Sequence, residues 1–281
     1  MKILITGASG QLGRDLVKIL SEKHEVLGTD RAEMDITDEQ ACCSLFESFR
    51  PDAVIHAAAY TAVDLAEAYV DGAYLINAVG TRNVVVAAER VGAKFCYIST
   101  DYVFDGRSQN AYNEYDSTNP ESIYGKTKRA GEVLVQSLSH RYYIVRTSWV
   151  FGLHGDNFVK TMLRLGAEKE SLQVVHDQIG SPTYTVDLSR FLSDLLDTER
   201  FGIYHASNSG TCSWFEFAKA IFEESGLRVQ VNPCTTEQFP RPAPRPCNSI
   251  MDHVAIRTNG FTDLPNWRDA LKRFLQELGK K

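Results

Sequence analysis

The segment Lys2-Ile3-Leu4-Ile5-Thr6-Gly7-Ala8-Ser9-Gly10-Gln11-Leu12-Gly13 decides the fold of this chain. Its apolar run predicts a β-strand over Lys2–Thr6, and the pattern that follows predicts a helix over Gln11–Ser21. Between them, three glycines are spaced Gly-x-x-Gly-x-x-Gly. Glycines allow a close backbone approach, and a helix N-terminus offers unpaired N–H groups to an anion. The segment therefore favours a strand–turn–helix unit that holds the pyrophosphate of a dinucleotide.

The alternation of strand and helix patterns continues through the first half of the chain. The predicted elements are strands at Glu25–Gly28, Ala53–His56, Lys94–Ser99 and Tyr142–Thr147, and helices at Asp38–Phe49, Gly72–Val91 and Ser122–Ser137. Runs such as Ala53–His56 are too apolar for a half-exposed strand, which indicates a parallel sheet covered on both faces. Because parallel connections are right-handed, we expect a doubly wound α/β fold of the Rossmann type.

The second half of the chain has longer loops and a proline cluster at Phe239–Pro246. Proline fixes φ and donates no backbone hydrogen bond, so this cluster predicts an extended surface segment. Helical patterns return at Val186–Leu196, Trp214–Glu224 and Trp267–Leu278. We predict a dinucleotide-binding domain over residues 1–150. Residues 151–281 are predicted to form mainly a smaller, interleaved substrate-binding lobe, some segments of which return to the Rossmann domain.

Composition narrows the class of protein. The chain has 281 residues, 43% of them hydrophobic, and 36 acidic against 30 basic residues give a net charge of −6. The hydrophobic content suffices for a packed core, and the negative charge disfavours nucleic acid as a partner. We find no apolar run long enough for a membrane span and no signal-peptide pattern at the start. We expect a cytoplasmic protein, a monomer or homodimer, that acts on a small molecule.

The cysteines and histidines show no metal-binding pattern. Six cysteines and seven histidines are present, but no Cys-x-x-Cys pair and no histidine pair four residues apart occurs. Scattered reduced thiols are the expectation for such spacing in a cytosolic protein. We therefore predict no metal site, while magnesium bound by distant carboxylates stays a possibility.

The cofactor end of the sequence is defined by more than its glycines, whose spacing also occurs in ordinary turns. Asp30 follows the second predicted strand, where its carboxylate can accept both ribose hydroxyls of an adenosine. That carboxylate repels a 2′-phosphate, yet Arg31 could pair with one, so we expect NADH or NADPH with a slight preference for NADH. Asp35 and Ile36 could flank the adenine, beside a helix cap at Thr37 or Asp38. The predicted cofactor contacts are Gly7, Gly10, Gln11, Leu12, Gly13, Asp30, Arg31, Asp35, Ile36, Ala57, Ala58, Ala59, Tyr124 and Lys128.

A candidate proton donor lies in Tyr124-Gly125-Lys126-Thr127-Lys128. Tyr124 and Lys128 are four residues apart, so on a helix they share one face. A reductase must protonate the oxygen of the carbonyl that receives hydride. A nearby ammonium lowers the pKa of a phenol from its usual value near ~10, and Lys128 would do this for Tyr124. Thr100 ends an earlier strand, at the edge where ligands bind in such sheets, and its hydroxyl could orient the substrate oxygen.

These residues give the chain a resemblance to the extended short-chain dehydrogenases/reductases. The resemblance is carried by the glycine turn, Asp30, Thr100 and Tyr124-x-x-x-Lys128, which occur in the family's order. It implies a catalytic triad of Thr100, Tyr124 and Lys128, in which the lysine also contacts the nicotinamide ribose. His56 stands where many relatives have Asn, and the resemblance leaves its role open.

One family within this group is matched more closely. The chain resembles the dTDP-4-dehydrorhamnose reductases at 57–64, 99–106, 146–152, 178–183 and in Arg245-Pro246-x-Asn248-Ser249. The resemblance implies substrate contacts, including three weaker candidates (Asn157, Gln178 and Arg245) on the diphosphate side. The full predicted set is Thr61, Val63, Thr100, Asp101, Tyr102, Tyr124, Trp149, Asn157, Gln178 and Arg245. Trp149 could bury an indole against a sugar, or could simply be a core residue.

The implied reaction is reduction of the C4 keto group of dTDP-4-dehydro-β-L-rhamnose to dTDP-L-rhamnose, a cell-surface polysaccharide precursor. Related dehydratases carry Thr-Asp-Glu where this chain has Thr100-Asp101-Tyr102, so the second carboxylate for elimination is missing. Two alternatives stay open. One is a non-catalytic NAD(P)-binding regulatory subunit, which would not need the triad, and the other is a reductase or epimerase of another nucleotide-linked 4-keto sugar.

Overall fold

A six-stranded parallel sheet forms the centre of the computed structural model, which describes residues 1–279. Its strands are β1 (Lys2–Thr6), β2 (Glu25–Thr29), β3 (Ala53–His56), β4 (Lys94–Thr100), β5 (Tyr142–Thr147) and β10 (Gly202–His205). Their order across the sheet is β2-β1-β3-β4-β5-β10, and every neighbouring pair is parallel. The order reverses beside β1, and at such a point the carboxyl ends of the strands open a crevice for a ligand. The predicted Rossmann-type sheet is confirmed.

Helices cover both faces of this sheet, as the apolar strands require. Side chains alternate along β1, so Ile3 and Ile5 pack on one face while Leu4 packs on the other, and all three are fully buried. The first face is covered by α1 (Gln11–Leu20) and α8 (Thr185–Leu196). The second face is covered by α2 (Glu39–Phe49), α5 (Thr81–Val91) and α6 (Ile123–Leu138), while the short α4 (Val70–Tyr74) lies before α5. Ser122, which we predicted inside a helix, caps α6 instead, and Asp38 caps α2.

The helix predicted over Gly72–Val91 is interrupted. Between α4 and α5, Leu75–Gly80 forms a π-helical turn. The side chain of Asn77 in this turn donates to Thr127 Oγ1 at 2.9 Å and accepts from the backbone N–H of Tyr60 at 2.8 Å. Bulges of this kind widen a helix locally and often occur at functional sites. Since these partners are distant in sequence, periodicity alone does not reveal the interruption.

The second half of the chain builds a smaller layer of helices and short strands. Its helices α7 (Phe158–Glu168), α9 (Trp214–Ser225) and α11 (Trp267–Leu278) share an apolar core. Its strands are β6 (Val150–Phe151), β7 (Ser171–Val175), β8 (Ile179–Gly180), β9 (Thr183–Tyr184), β11 (Cys212–Ser213) and β12 (Gln230–Cys234). It also contains the short helix α10 (Val254–Thr258), whereas the short helix α3 (Val63–Ala66) lies in the first half, after β3. Helix α8 and strand β10 return to the large sheet. The predicted division at residue 150, and the substrate-binding role of the second part, stay predictions.

Three further observations concern residues 1–279. No helix among them combines the length and the apolar character needed to cross a bilayer. Five of the six cysteines are buried, Cys247 is exposed, and none of the six forms a disulfide. Over the same residues, no group of three or more His, Cys, Asp or Glu side chains is placed to hold a metal ion.

Candidate active site

A cavity of about 740 Å³ opens at the carboxyl ends of the central strands. Residues that follow β1, β2, β3, β4 and β5 all contribute to its wall, as expected where a parallel sheet reverses its strand order. The lining includes Gly7, Gly10, Gln11, Leu12, Gly13, Asp30, Arg31, Asp35, Ile36, Ala57, Ala58, Ala59, Thr61, Val63, Thr100, Asp101, Tyr102, Tyr124, Lys128 and Trp149. The structure thus brings together every predicted cofactor contact and most predicted substrate contacts.

The glycine turn between β1 and α1 leaves no room for a side chain at Gly7 or Gly13. Gly7 has a φ of +70°, and a Cβ there would lie 2.8 Å from the backbone nitrogen of Ala58. A Cβ on Gly13 would lie 2.1 Å from the Gly7 carbonyl oxygen. The first turn of α1 contains no acidic side chain, so its unpaired N–H groups offer positive charge without competition. This close-packed turn fits the pyrophosphate of a dinucleotide.

The end of β2 carries the groups predicted to face the adenosine. Asp30 accepts a hydrogen bond from the backbone N–H of Ser9 at 2.8 Å, which fixes its carboxylate beside the glycine turn. Arg31 is exposed, and its Nε lies 3.1 Å from Asp35 Oδ2. Hydrogen bonds from Thr37, together with Arg31, hold the pKa of Asp35 below its usual range. The cap of α2 is Asp38, one of the two residues that we considered for it.

The triad residues lie on two elements that meet at the cavity. Tyr124 and Lys128 occupy the first two turns of α6, and Thr100 ends β4. The Thr100 hydroxyl lies beside the phenol of Tyr124 and acts to lower its pKa. Helix α6 approaches closely because residue 125 is glycine: a Cβ there would lie 2.2 Å from the carbonyl oxygen of Tyr102.

One expectation about the triad is wrong for this structure. We predicted that Lys128 lowers the pKa of Tyr124, but burial raises that pKa to about 12. Lys128 is itself buried, which lowers its pKa to about 7 despite the charge of Glu132. Its Nζ donates to the carbonyl oxygen of Ile98 at 2.8 Å and lies 4.1 Å from the centre of the Tyr97 ring. The tyrosine is therefore a fully protonated donor at neutral pH.

A buried ion pair between Glu132 and Arg146 lies one helical turn beyond Lys128. Glu132, one turn further along α6, accepts from Arg146 Nε and Nη2 at 2.9 Å each, and Ser99 Oγ donates to it at 2.6 Å. Arg146 belongs to β5 and is 2% exposed, while Glu132 is 0% exposed. Arg146 Nη1 also lies 3.3 Å from His205 Nε2. Two opposite charges without solvent need this full set of hydrogen bonds to be tolerated.

His56, whose role the sequence left open, is a structural residue. It is fully buried at the end of β3, where Thr6 Oγ1 lies 2.7 Å from Nδ1 and Thr81 Oγ1 lies 3.1 Å from Nε2. Burial, with a contribution from Lys128, lowers its pKa to about 3. His56 is therefore neutral at physiological pH and ties β1 and β3 to α5.

One part of the cavity wall is built around Trp149. This residue has a φ of 48°, a left-handed conformation that costs roughly 1–2 kcal/mol in a side-chain-bearing residue. Its ring stacks on Trp214 with centroids 3.6 Å apart, and a Cβ on Gly180 would lie 2.7 Å from the indole. The sequence left open whether Trp149 contacts a sugar or is a core residue, and the structure shows that it lines the cavity and also packs against the apolar core. Trp214, on which it stacks, was missed because its helix gave no sign of a cavity.

Three weaker candidates are not among the residues that line the cavity, and their contact with the substrate stays a prediction. Asn157 caps α7 and donates to Gln11 Oε1 at 2.8 Å, so its polar atoms are used within the protein. Gln178 is 8% exposed and donates to Thr236 Oγ1 at 3.0 Å. Arg245 is paired with Asp64, as its Nη2 lies 2.8 Å from Oδ1 of that residue.

The proline-rich segment is anchored to the cavity rim by this pairing. Arg241 Nε also donates to Asp64, at 3.0 Å, and Ala243 within the segment is buried. Burial acts to raise the pKa of Asp64, but its bonds to the two arginines lower it overall. The segment has no helix or strand, as predicted, yet it is not a free surface loop. We did not predict the role of Asp64, since its partners lie about 180 residues away.

Comparison with known proteins gives a consistent result. Residues 1–280 match the family model described as RmlD substrate binding domain. The dTDP-4-dehydrorhamnose reductase of Aggregatibacter actinomycetemcomitans is 43% identical, over 96% of this chain and 97% of that protein. The spore coat polysaccharide biosynthesis protein SpsK of Bacillus subtilis is 46% identical, over 98% of this chain and 97% of that protein.

Solved structures agree with these matches. The dTDP-4-dehydrorhamnose reductase of Bacillus anthracis, determined in complex with NADP, superposes with a TM-score of 0.97 at 49% identity, covering 98% of this chain and 99% of that one. The corresponding protein of Clostridium acetobutylicum gives a TM-score of 0.98 at 48% identity, covering 99% and 100%. The UDP-glucose 4-epimerase of Thermus thermophilus, at 20% identity, shares the fold with a TM-score of 0.84 over 99% of each chain.

Proposed function

The chain belongs to the dTDP-4-dehydrorhamnose reductase family, and we propose that it reduces the C4 keto group of dTDP-4-dehydro-β-L-rhamnose to give dTDP-L-rhamnose. One observation carries the proposal furthest. A protonated tyrosine, a buried lysine and a threonine share one cavity with a glycine turn that fits a dinucleotide. A cavity of this kind provides the proton and the site for the hydride donor that reduction of a carbonyl requires.

Some residues of the cavity would bind the cofactor, and others act at the reacting carbonyl. The glycine turn would hold the pyrophosphate of NADH or NADPH, and Asp30 would accept the ribose hydroxyls, where the dinucleotide supplies the hydride. Tyr124 donates the proton to the carbonyl oxygen as hydride arrives at C4 of the sugar. Thr100 hydrogen-bonds the oxygens at the reacting centre, and Lys128 contacts the nicotinamide ribose. Trp149 closes the wall against the sugar and excludes water.

Two alternatives are weaker for physical reasons. Elimination of water needs a second carboxylate beside Asp101, and Tyr102 occupies that position with its ring 5.5 Å from that of Tyr124. A non-catalytic regulatory subunit has use for the dinucleotide cavity but none for a proton donor within it. Another nucleotide-linked 4-keto sugar is the remaining candidate, and the identity of the base is what distinguishes it.

The direct test is an assay with the purified chain. Incubation with freshly made dTDP-4-dehydro-β-L-rhamnose should consume NADH or NADPH, and chromatography should yield dTDP-L-rhamnose. The matched control is a 4-keto sugar linked to UDP or GDP, which should react at least about tenfold more slowly, a difference of 1.4 kcal/mol in the barrier. Failure to oxidise either cofactor contradicts the proposal, and equal rates with the control indicate a broader substrate class.

Arg31 gives a prediction about cofactor choice. Its guanidinium is exposed at the rim where a 2′-phosphate would lie, and it is held there by Asp35. We expect Arg31→Ala to raise KM for NADPH about tenfold, because a charge-assisted bond to phosphate is lost, and to leave KM for NADH within about twofold. Steady-state kinetics with each cofactor measures this. Arg82→Ala, which removes an exposed arginine paired with Glu39, is the control. An equal rise in KM for both cofactors would show that Arg31 does not bind the 2′-phosphate.

A further inference from the structure

One buried carboxyl group in the cavity wall has no part in the steps described so far. Asp101 follows Thr100 at the end of β4 and is 4% exposed. Its Oδ1 lies 2.9 Å from Thr100 Oγ1. Its Oδ2 is also buried, and among residues 1–279 no hydrogen-bond partner reaches it. A buried ionised carboxylate with one empty oxygen is costly, so this position calls for an explanation.

The charge state of Asp101 decides which way the hydroxyl of Thr100 points. That hydroxyl has one proton and two lone pairs, and one lone pair accepts from the backbone N–H of Tyr102 at 3.2 Å. When Asp101 is ionised, the Thr100 proton must be donated to Oδ1. The remaining lone pair then faces Tyr124, so the phenol proton points back at Thr100 and away from a substrate. The negative charge also acts to raise the pKa of Tyr124.

When Asp101 is protonated, the hydrogen bonds from Asp101 through Thr100 to Tyr124 reverse their direction, while the backbone N–H of Tyr102 still donates to Thr100. The carboxylic acid donates to Thr100, the Thr100 proton turns to the Tyr124 oxygen, and the phenol proton is free to point into the cavity. Each hydroxyl group then donates to the next oxygen in the series, and the last, that of Tyr124, donates to the carbonyl oxygen of the substrate. The proton of Asp101 is not consumed, because it orients the others and stays on the carboxyl group. In this arrangement Thr100 also stabilises the phenolate that is left after proton transfer.

We propose that Asp101 works as a neutral carboxylic acid, a positioning residue that directs the hydroxyl proton of Thr100 towards the Tyr124 oxygen and the hydroxyl proton of Tyr124 towards the substrate oxygen. The inference rests on the proposed function, since it concerns the same reduction. It assigns a second use to the Thr-Asp pair that this chain shares with dehydratases. Here the aspartate orients a donor instead of eliminating water.

The surroundings of Asp101 favour its neutral form. Burial raises its pKa to about 6, although the nearby hydroxyls of Ser249 and Thr100 act to lower it. The titratable groups that face Asp101 are Tyr102, in the same 3₁₀ turn (Asp101–Val103), and Tyr124 on α6. Arg245 and Asp64 act on Tyr102 from the proline-rich segment and from α3. A substrate and cofactor that both carry phosphates bring further negative charge, which disfavours ionisation of Asp101 still more.

The test compares Asp101→Asn with wild type over a range of pH. Asparagine can donate to Thr100 as the acid does, but it cannot ionise. We expect kcat/KM of wild type to fall as the pH rises above about 6, because kcat/KM reports ionisation in the enzyme free of substrate. Lys128, whose pKa is about 7, titrates nearby and affects both proteins alike. The ratio of the variant to wild type should therefore be constant in acid and rise about tenfold for each pH unit above that point.

A second variant and a spectroscopic measurement complete the test. Asp101→Ala offers no donor and should lower kcat about tenfold in acid, where wild type is protonated. Infrared difference spectra, wild type minus Asp101→Asn, should show the carbonyl stretch of a carboxylic acid that disappears as the pH rises through about 6. Asp15 and Glu114, whose pKa values burial also raises, are present in both proteins and cancel. Asp116→Asn, in a loop outside the cavity, is the control.

The results separate this inference from the proposed function. A flat ratio across pH, or an Asp101→Asn variant as slow as Asp101→Ala, would show that the carboxylate works in its ionised form. Absence of the carboxylic acid band would show the same in the protein without ligands. If neither wild type nor variant oxidises NADH or NADPH with the keto sugar, the proposed function fails, while the infrared result still reports the state of Asp101.

Discussion

Tyr124→Phe is expected to lower kcat by about 10³-fold while the dissociation constant for NADPH changes by less than about threefold. The phenol is the only proton donor that we place at the carbonyl oxygen, and its raised pKa of about 12 keeps it protonated at neutral pH. Phenylalanine preserves the ring, which packs edge-on against Tyr102 with centroids 5.5 Å apart, so the cavity should keep its shape.

Rapid mixing with saturating substrate measures kcat in this variant, and quenching of tryptophan fluorescence measures cofactor binding. Tyr74→Phe, which removes a hydroxyl from the exposed end of α4, serves as the control and should retain full turnover. Turnover within about tenfold of wild type would mean that another group protonates the substrate. Thr100, whose hydroxyl lies beside the phenol, would then be the first residue to replace.

Arg146→Met is expected to reduce the free energy of unfolding by about 3–5 kcal/mol. The substitution leaves the carboxylate of Glu132 buried without its two bonds from the guanidinium. Ser99 and the partly exposed Arg129, whose Nη1 lies 3.4 Å from Oε2, compensate only in part. Combining it with Glu132→Leu removes the stranded charge. The double variant should therefore recover most of the loss, to within about 2 kcal/mol of wild type.

Urea unfolding of the four proteins in this cycle gives the coupling between the two side chains. Arg82→Met is the matched control, since Arg82 pairs with Glu39 at the same 2.9 Å but on the surface, and it should cost no more than about 1 kcal/mol. If Arg146→Met were no more destabilising than Arg82→Met, the buried pair would not be holding α6 against β5. The position of Lys128 would then depend on its bond to Ile98 alone.

Much of the fold follows from patterns that operate over a few residues. The apolar run at Lys2–Thr6 and the turn at Gly7–Gly13 predict a strand, a turn and a helix, because strand burial and glycine geometry are local properties. The four-residue spacing of Tyr124 and Lys128 predicts their common face in the same way. Their meeting with Thr100 follows from the rule that ligands bind at the carboxyl ends of parallel strands.

What could not be predicted depends on partners that are remote in sequence. Asn157 carries the right chemistry for a phosphate, but a helix that needed a cap and the side chain of Gln11 use its polar atoms. Arg245 was expected on the diphosphate side, and the carboxylate of Asp64 holds it. The pKa of Tyr124 was expected to fall beside Lys128, yet burial raises it. A short sequence pattern does not show which remote residue will bind a side chain, or how deeply that side chain will be buried.

The stacked indoles of Trp149 and Trp214 have a consequence for how this protein can be observed. Two such rings held 3.6 Å apart and within 9° of parallel couple their electronic transitions, which gives near-ultraviolet circular dichroism a signature of this one wall. Any ligand that shifts the strained Trp149 backbone changes the coupling. The chain therefore carries a native optical reporter of occupancy, and binding can be followed without a label and without turnover.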